Sequence, residues 1–315
     1  DGRRFLDIGS AADHDAVGFD LPEHFVEVGV QGGDPVFLLQ LFAQRPVRIR
    51  AADDPDQILE KAIPDDRDIN RRYYQYLNSS GRAGAVPGVW KRIEHTLEKT
   101  DLDMTLRYVD ALLALRQGDA AMQVWNRLSQ AGLIQYPTLD PSRGRVLTNG
   151  SFLRIPLGMA FDWGLPPAPG VDGSVESTQG KPHLRFRFDG AHPEATDLLT
   201  QWAPVEERRT YRLSWRYTTE GLPGDTGLYW RMEDPTTPGS PLRAGAPLPA
   251  SRDEWREAQI TFQSGPRTRL IRLVFAYRRS PGTTRAEGSI SLRDLTLSPA
   301  DPDPASGRLP RRTQP

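Results

Sequence analysis

Four stretches of this sequence place arginine on one parity and apolar residues on the other. In 184–188, Arg185 and Arg187 alternate with Leu184, Phe186 and Phe188. In 211–217, Arg212, Ser214 and Arg216 alternate with Tyr211, Leu213, Trp215 and Tyr217. Tyr229 and Arg231 oppose Leu228, Trp230 and Met232, and Arg272 opposes Ile271, Leu273, Phe275 and Tyr277. A period of two marks strands with one buried face, so the apolar parity predicts an inter-sheet core. The other parity then presents Arg185, Arg187, Arg212, Arg216, Tyr229, Arg231 and Arg272 outward. A guanidinium fork binds carboxylates and phosphates through paired hydrogen bonds, and an exposed tyrosine can stack on a sugar ring. If these strands share one sheet, the face suits an acidic glycan or a glycolipid head group. Trp163, in a loop beside Asp162 and Gly164, and Trp202, on a strand of mixed parity, are further candidates for sugar stacking. Two bland alternatives stay open. The arginines can pair with Glu206, Glu207, Glu233 and Asp234, each pair contributing little, or the strands can divide between two sheets and split the patch.

Catalytic signatures are missing from the sequence. The five histidines, His14, His24, His95, His183 and His192, include no i, i+4 pair for zinc. There is no Gly-x-Ser-x-Gly elbow, phosphate loop or dinucleotide fingerprint. A glycosidase needs two carboxylates facing one cleft, and Asp162, Asp225, Glu233 and Asp234 qualify only as any acids would. With no cysteine in the chain, thiolate metal sites, disulfides and a Cys nucleophile are excluded.

The 315 residues carry 40 basic and 41 acidic side chains, a net charge of −1. That balance argues against nucleic acid as a partner. Only four of the basic residues, Lys61, Lys91, Lys99 and Lys181, are lysine. Coding bias accounts for that as readily as selection for guanidinium. With 37% hydrophobic residues a packed core is expected. The chain opens on Asp1, and a membrane anchor upstream of it is compatible with the sequence.

The elements that must position these residues fall into segments. Residues 1–34 read as an extended N-terminal segment with short strand-like runs. Residues 35–136 read as a helical-hairpin domain. Its later helices are expected over 69–77, 89–97, 102–115 and 120–131, from apolar residues at helical spacing between short polar breaks. Residues 137–144, with two prolines and a glycine, form a linker. Residues 145–298 hold seven or more strand-like runs punctuated by turns, a β-sandwich pattern. Residues 299–315 read as a disordered tail.

Two resemblances extend this reading. The hairpin carrying Tyr108, Leu112, Leu113, Gly118, Asp119, Ala120, Ala121 and Trp125 resembles a tetratricopeptide-type unit, whose small residues let the second helix pack closely on the first. The β region carries Asn149-Gly150-Ser151-Phe152, Asp162-Trp163, a central strand with Gln201 and Trp202, Tyr211-Arg212-Leu213-Ser214, and a last strand with Asp294 before Leu295-Thr296-Leu297. In that order these resemble the galactose-binding-like jelly rolls of bacterial carbohydrate-binding modules. The whole chain resembles an uncharacterised bacterial envelope family associated with polysaccharide. The resemblance implies a structural calcium held partly by Asp294. The glutamate that usually follows the Phe is replaced by Leu153, which places that site in doubt.

The fold expected is therefore multidomain, with N-terminal antiparallel helical hairpins and a C-terminal antiparallel jelly-roll β-sandwich. The expected function is a non-enzymatic binding or scaffold protein of the bacterial cell envelope, outside the cytoplasm. The sandwich would engage a polysaccharide or glycolipid and the helices a protein partner, with no cofactor beyond the calcium. The alternatives are a purely structural protein and a polysaccharide-acting enzyme or its accessory subunit.

Overall fold

A computed structural model describes residues 66–237 and 241–300. The expected segment 1–34, the start of the helical region and residues 301–315 lie outside the described residues. The chain divides into two compact units, one up to Thr96 and one from Leu97.

In the first unit, α1 (Arg67–Ser79) and α2 (Val86–Ile93) pack as a hairpin. The Asp66 carboxylate accepts the amides of Asp68 and Ile69 at 3.0 and 2.9 Å, satisfying donors that a helix start leaves free. Tyr73, Tyr74 and Leu77 are buried on one stripe, as are Val89, Trp90 and Ile93. The Tyr74 and Trp90 rings lie 5.9 Å apart.

Among its described residues the second unit holds α3 (Leu102–Ala114), α4 (Gly118–Gln130) and nine strands. One sheet has the order β1 (Val171–Thr178), β2 (Lys181–Asp189), β9 (Glu287–Pro299), β4 (Thr210–Glu220), β7 (Arg256–Gln263). The other has β3 (Ala195–Pro204), β8 (Leu270–Arg278), β5 (Leu228–Glu233), β6 (Arg243–Ala244). Every pairing is antiparallel. The result is the expected jelly-roll β-sandwich, with the apolar parities of both sheets turned inward. Trp230 sits at its centre, 5.1 Å from the Phe275 ring, 5.8 Å from Trp215 and 6.1 Å from Trp163. Two strands escape the sequence pattern. β1 is an edge strand with few apolar residues, and β6 is only two residues long. The last strand also runs past 298: Pro299 pairs with Tyr211, and the Ala300 amide bonds the Thr210 carbonyl at 2.9 Å.

Residues 137–144 do not separate helices from sandwich as a linker would. Trp125 of α4 is fully buried, its ring 5.6 Å from Tyr136 and 5.9 Å from Phe161, which leads into the sandwich. Asp110 of α3 accepts the Ala160 amide at 2.7 Å, and Asp119 meets Arg269 at 3.1 Å. A Cβ on Gly118 would press on the Leu270 side chain of β8 at 3.2 Å. The small residue that the sequence assigned to helix–helix packing therefore serves helix–sheet packing.

This seam buries a carboxyl. Asp162 accepts the Tyr136 hydroxyl at 2.7 Å and the Leu157 amide at 2.8 Å. Burial outweighs both bonds and holds its pKa above the usual carboxylate value. An acid raised in the folded state gives stability that is complete below its unfolded pKa and is lost as pH rises through the folded one. Asp162→Asn, which keeps an acceptor, is therefore expected to gain melting temperature relative to the parent as pH rises from about 4, the ordinary aspartate range, upward. Thermal melts across that range check it, and a constant difference refutes it.

Candidate functional site

The residues that open the β region form a latch. Asn149 is in a left-handed conformation, φ 48°, and its side-chain carboxamide pairs with the backbone of Arg154. A Cβ on Gly150 would overlap the Leu295 carbonyl oxygen, so only glycine permits this approach to β9. Phe152 packs 6.0 Å from Trp163, whose indole N–H donates to the Asn149 carbonyl at 3.2 Å. Gln201, buried on β3, donates to the Thr148 carbonyl and hydroxyl at 3.1 and 2.9 Å and to the Phe161 carbonyl at 3.1 Å. Trp163 is 0% exposed. It is a core residue and not a sugar platform, because the latch folds it inward.

The arginines do not share one surface. Arg185, Arg187, Arg212 and Arg216 lie on the outer face of the five-stranded sheet, while Tyr229, Arg231 and Arg272 lie on the outer face of the four-stranded sheet. On the first face the protein's own acids answer three of the four arginines, while Arg212 is exposed with no ion-pair partner among the described residues. Arg185 pairs with Glu220 and lies 3.8 Å from Glu176. Arg187 pairs with Glu176 and lies 3.6 Å from Asp172. Arg216 lies 3.6 Å from Glu257. Register explains this: Asp172 and Arg187 are paired residues on β1 and β2, and Arg216 and Glu257 are paired on β4 and β7. Burial works against the Glu176 carboxylate, but the two arginines outweigh it and hold its pKa low.

The other face forms a cleft of about 930 Å³, within the ~300–1,000 Å³ usual for ligand sites. Its floor follows from the register. Trp202 on β3 stands opposite Arg272 on β8, which stands opposite Glu233 on β5. One step along, Thr200, Val274 and Arg231 form the next row, and Asp197, Ala276 and Tyr229 the third. Of these residues Trp202, Tyr229, Arg231, Glu233 and Arg272 line the cleft, and Val274 and Ala276, between the two aromatics in the register, are buried. The β3 register shifts between Asp197 and Leu199, so Leu198 and Leu199 are both buried and Asp197 turns to the Arg231 side. The Arg231 guanidinium bridges Asp197 at 2.8 Å and Glu233 at 2.6 Å, and Arg272 lies 3.8 Å from Glu233. Strict alternation places Asp197 inward, which is why sequence reasoning missed it. The mixed parity of that strand was the available signal.

Loops and a helix end complete the walls. The Leu113–Arg116 end of the α3–α4 hairpin lines one side, and Arg278 and Ser280 another. Asp234, also in the lining, accepts from the Thr236 hydroxyl at 2.6 Å and from Thr268. Burial opposes these bonds, which still hold its carboxyl below the usual range.

Asp294 is 54% exposed at a bulge of β9 with φ 55°, 3.4 Å from Arg293, and Leu153 is 74% exposed. Among the described residues no group of three or more acids and histidines is placed to hold a metal. No helix among them is long and apolar enough to cross a membrane.

No protein-family model matches the sequence, and no curated protein sequence matches it. Solved structures similar in chain course over the sandwich include a carbohydrate-binding module, CBM4, at 12% identity and TM-score 0.38, covering 48% of this chain and 98% of that one. Another is a carbohydrate-binding module from Cellvibrio mixtus lichenase 5A in complex with cellotriose, at 11% identity and TM-score 0.28, covering 44% and 92%. A third is the xylan-binding domain of Paenibacillus barcinonensis Xyn10C, at 14% identity and TM-score 0.27, covering 45% and 87%.

Proposed function

We propose that the protein is a non-catalytic polysaccharide-binding protein whose ligand lies in the cleft of the four-stranded sheet. The observation that carries this reading is the placement of Trp202 and Tyr229 on the face that also carries the Asp197–Arg231–Glu233–Arg272 network. Sugar rings present an apolar face to an aromatic side chain and a rim of hydroxyls to polar groups, and the cleft offers both. Glu233 and Asp197 are each held by Arg231, which supports a binding role for them over acid–base chemistry. The reading places the protein in the bacterial cell envelope, outside the cytoplasm, with a glycolipid as the alternative ligand. It also keeps a protein partner on the tetratricopeptide-type helices.

Isothermal titration against a panel of soluble oligosaccharides tests the cleft. Binding to at least one of them, lost in Arg231→Ala and kept in Arg212→Ala, is the expected result. Arg231 lines the cleft and pairs with Glu233 of the same lining and with Asp197, whereas Arg212 lies on the opposite sheet. Loss on Arg212→Ala instead would move the site to the five-stranded sheet. Folding of Arg231→Ala is verified by circular dichroism, since it leaves two half-buried acids without their partner.

A further inference from the structure

The charge left over in the cleft names the ligand class. Five of the lining residues are arginine, against Glu233 and Asp234 as acids. Two arginines are neutralised locally: Arg231 by Asp197 and Glu233, and Arg279 by Glu194 at 2.8 Å. Arg272 reaches only Glu233, at 3.8 Å, and that carboxylate already serves Arg231. Arg116 and Arg278 are exposed and have no ion-pair partner among the described residues. Asp234, which feels the Arg116 charge without pairing with it, takes its hydrogen bonds from threonines.

Arg116 carries a second observation. After α3 the Gln117 amide bonds the Leu112 carbonyl at 2.9 Å and the Arg116 amide bonds the Leu113 carbonyl at 3.0 Å. This is the helix-ending motif whose left-handed residue is ordinarily glycine. Here that residue is Arg116, with φ 61°. A strained backbone that keeps a long cation at the mouth of a cleft points to use of that cation.

We propose that the cleft selects an acidic polysaccharide, one whose sugars carry an oxyanion, carboxylate or sulfate. Arg272, Arg278 and Arg116 take the anions, while Trp202 and Tyr229 take the ring faces. This rests on the cleft reading above. It assigns the α3–α4 turn to the ligand site, because the hairpin supplies one of the three cations. Guanidinium forks match planar carboxylates best, and the cations lie on different elements around the floor, so a chain charged on successive sugars satisfies more of them than a single charged end.

The test is titration calorimetry on the full chain with three probes of similar length: oligogalacturonate, a chondroitin sulfate oligosaccharide and a neutral xylo-oligosaccharide. At low salt an acidic probe is expected to bind at least about tenfold tighter than the neutral one, and added salt should narrow that advantage. Arg278→Ala and Arg116→Gly should each weaken the acidic probe about tenfold, in line with loss of one charge-assisted pair, and weaken the neutral probe far less. Arg116→Gly should not lower the melting temperature, which separates loss of a ligand contact from loss of structure. Preference between the two acidic probes assigns the oxyanion. Equal or tighter binding of the neutral probe, or indifference to both substitutions, overturns the acidic assignment and leaves the cleft reading standing. If no probe binds, the cleft reading falls and this one with it.

Discussion

Trp202→Ala is expected to weaken oligosaccharide binding by at least tenfold while the protein melts within a few degrees of the parent. Trp202 is half-buried on β3, with its strand neighbour Arg272 beside it and the cleft before it. It is not part of the sandwich core, since Gln201, Ala203 and Leu199 carry that parity. Aromatic contacts are worth about 0.5–1.5 kcal/mol beyond the area they bury, and a buried ring face adds transfer energy at about 25 cal/mol per Å². Losing both exceeds the roughly 1.4 kcal/mol that a tenfold change requires. Tyr229→Ala should give a smaller loss, as a tyrosine presents the smaller ring. Calorimetry with the tightest oligosaccharide found for the parent measures both. Binding unchanged in Trp202→Ala would remove the cleft as the sugar site.

Trp125→Ala has the largest expected effect on stability, about 3–5 kcal/mol. Trp125 is fully buried and contacts Tyr136 on one side and Phe161 on the other. Its removal opens a cavity where the hairpin meets the sandwich, and packed surroundings refill such a space only in part. For a unit of this size the loss corresponds to a fall of about 10 °C in melting temperature. Because Arg116 and the end of α3 line the cleft, ligand affinity should fall as well, through loosened walls. Differential scanning calorimetry measures the first effect and titration of the variant at low temperature the second. A variant melting within about 1 kcal/mol of the parent would show that hairpin and sandwich are stabilised independently.

Most of the sandwich was legible because parity is a local property. Alternation of Tyr211, Leu213, Trp215 and Tyr217 with Arg212, Ser214 and Arg216 needs no partner to be read, and the structure places each residue on the face that alternation assigns. The same held for Leu184, Phe186 and Phe188, and for Leu228, Trp230 and Met232. The helix stripes of Leu106, Val109 and Leu113, and of Ala121, Val124 and Trp125, were legible for the corresponding reason at period 3.6. Asn149-Gly150-Ser151-Phe152 stood out in the sequence by its likeness to the opening of a carbohydrate-binding jelly roll, and the first strand begins only at Val171. Nothing in that motif told that its tryptophan partner, Trp163, would turn inward.

What stayed hidden was non-local. Local spacing fixes which side of its own strand a residue takes, but strand order fixes which residues become neighbours, and order is set by loop closure and burial over more than 100 residues. Arg187 and Arg278 both alternate with apolar neighbours and end on opposite faces of the sandwich, one answered by Glu176 and the other lining a cleft with no ion-pair partner among the described residues. The register shift beside Asp197 is equally invisible, because it exists only against β8. The sequence by itself determined two apolar sheet faces, amphipathic helices and an excess of guanidinium groups, since periodicity and composition need no third dimension. The tertiary structure alone decided which of those groups are neutralised by the chain's own acids and which are left facing a cleft, because ion pairing depends on distances that only the packed register creates.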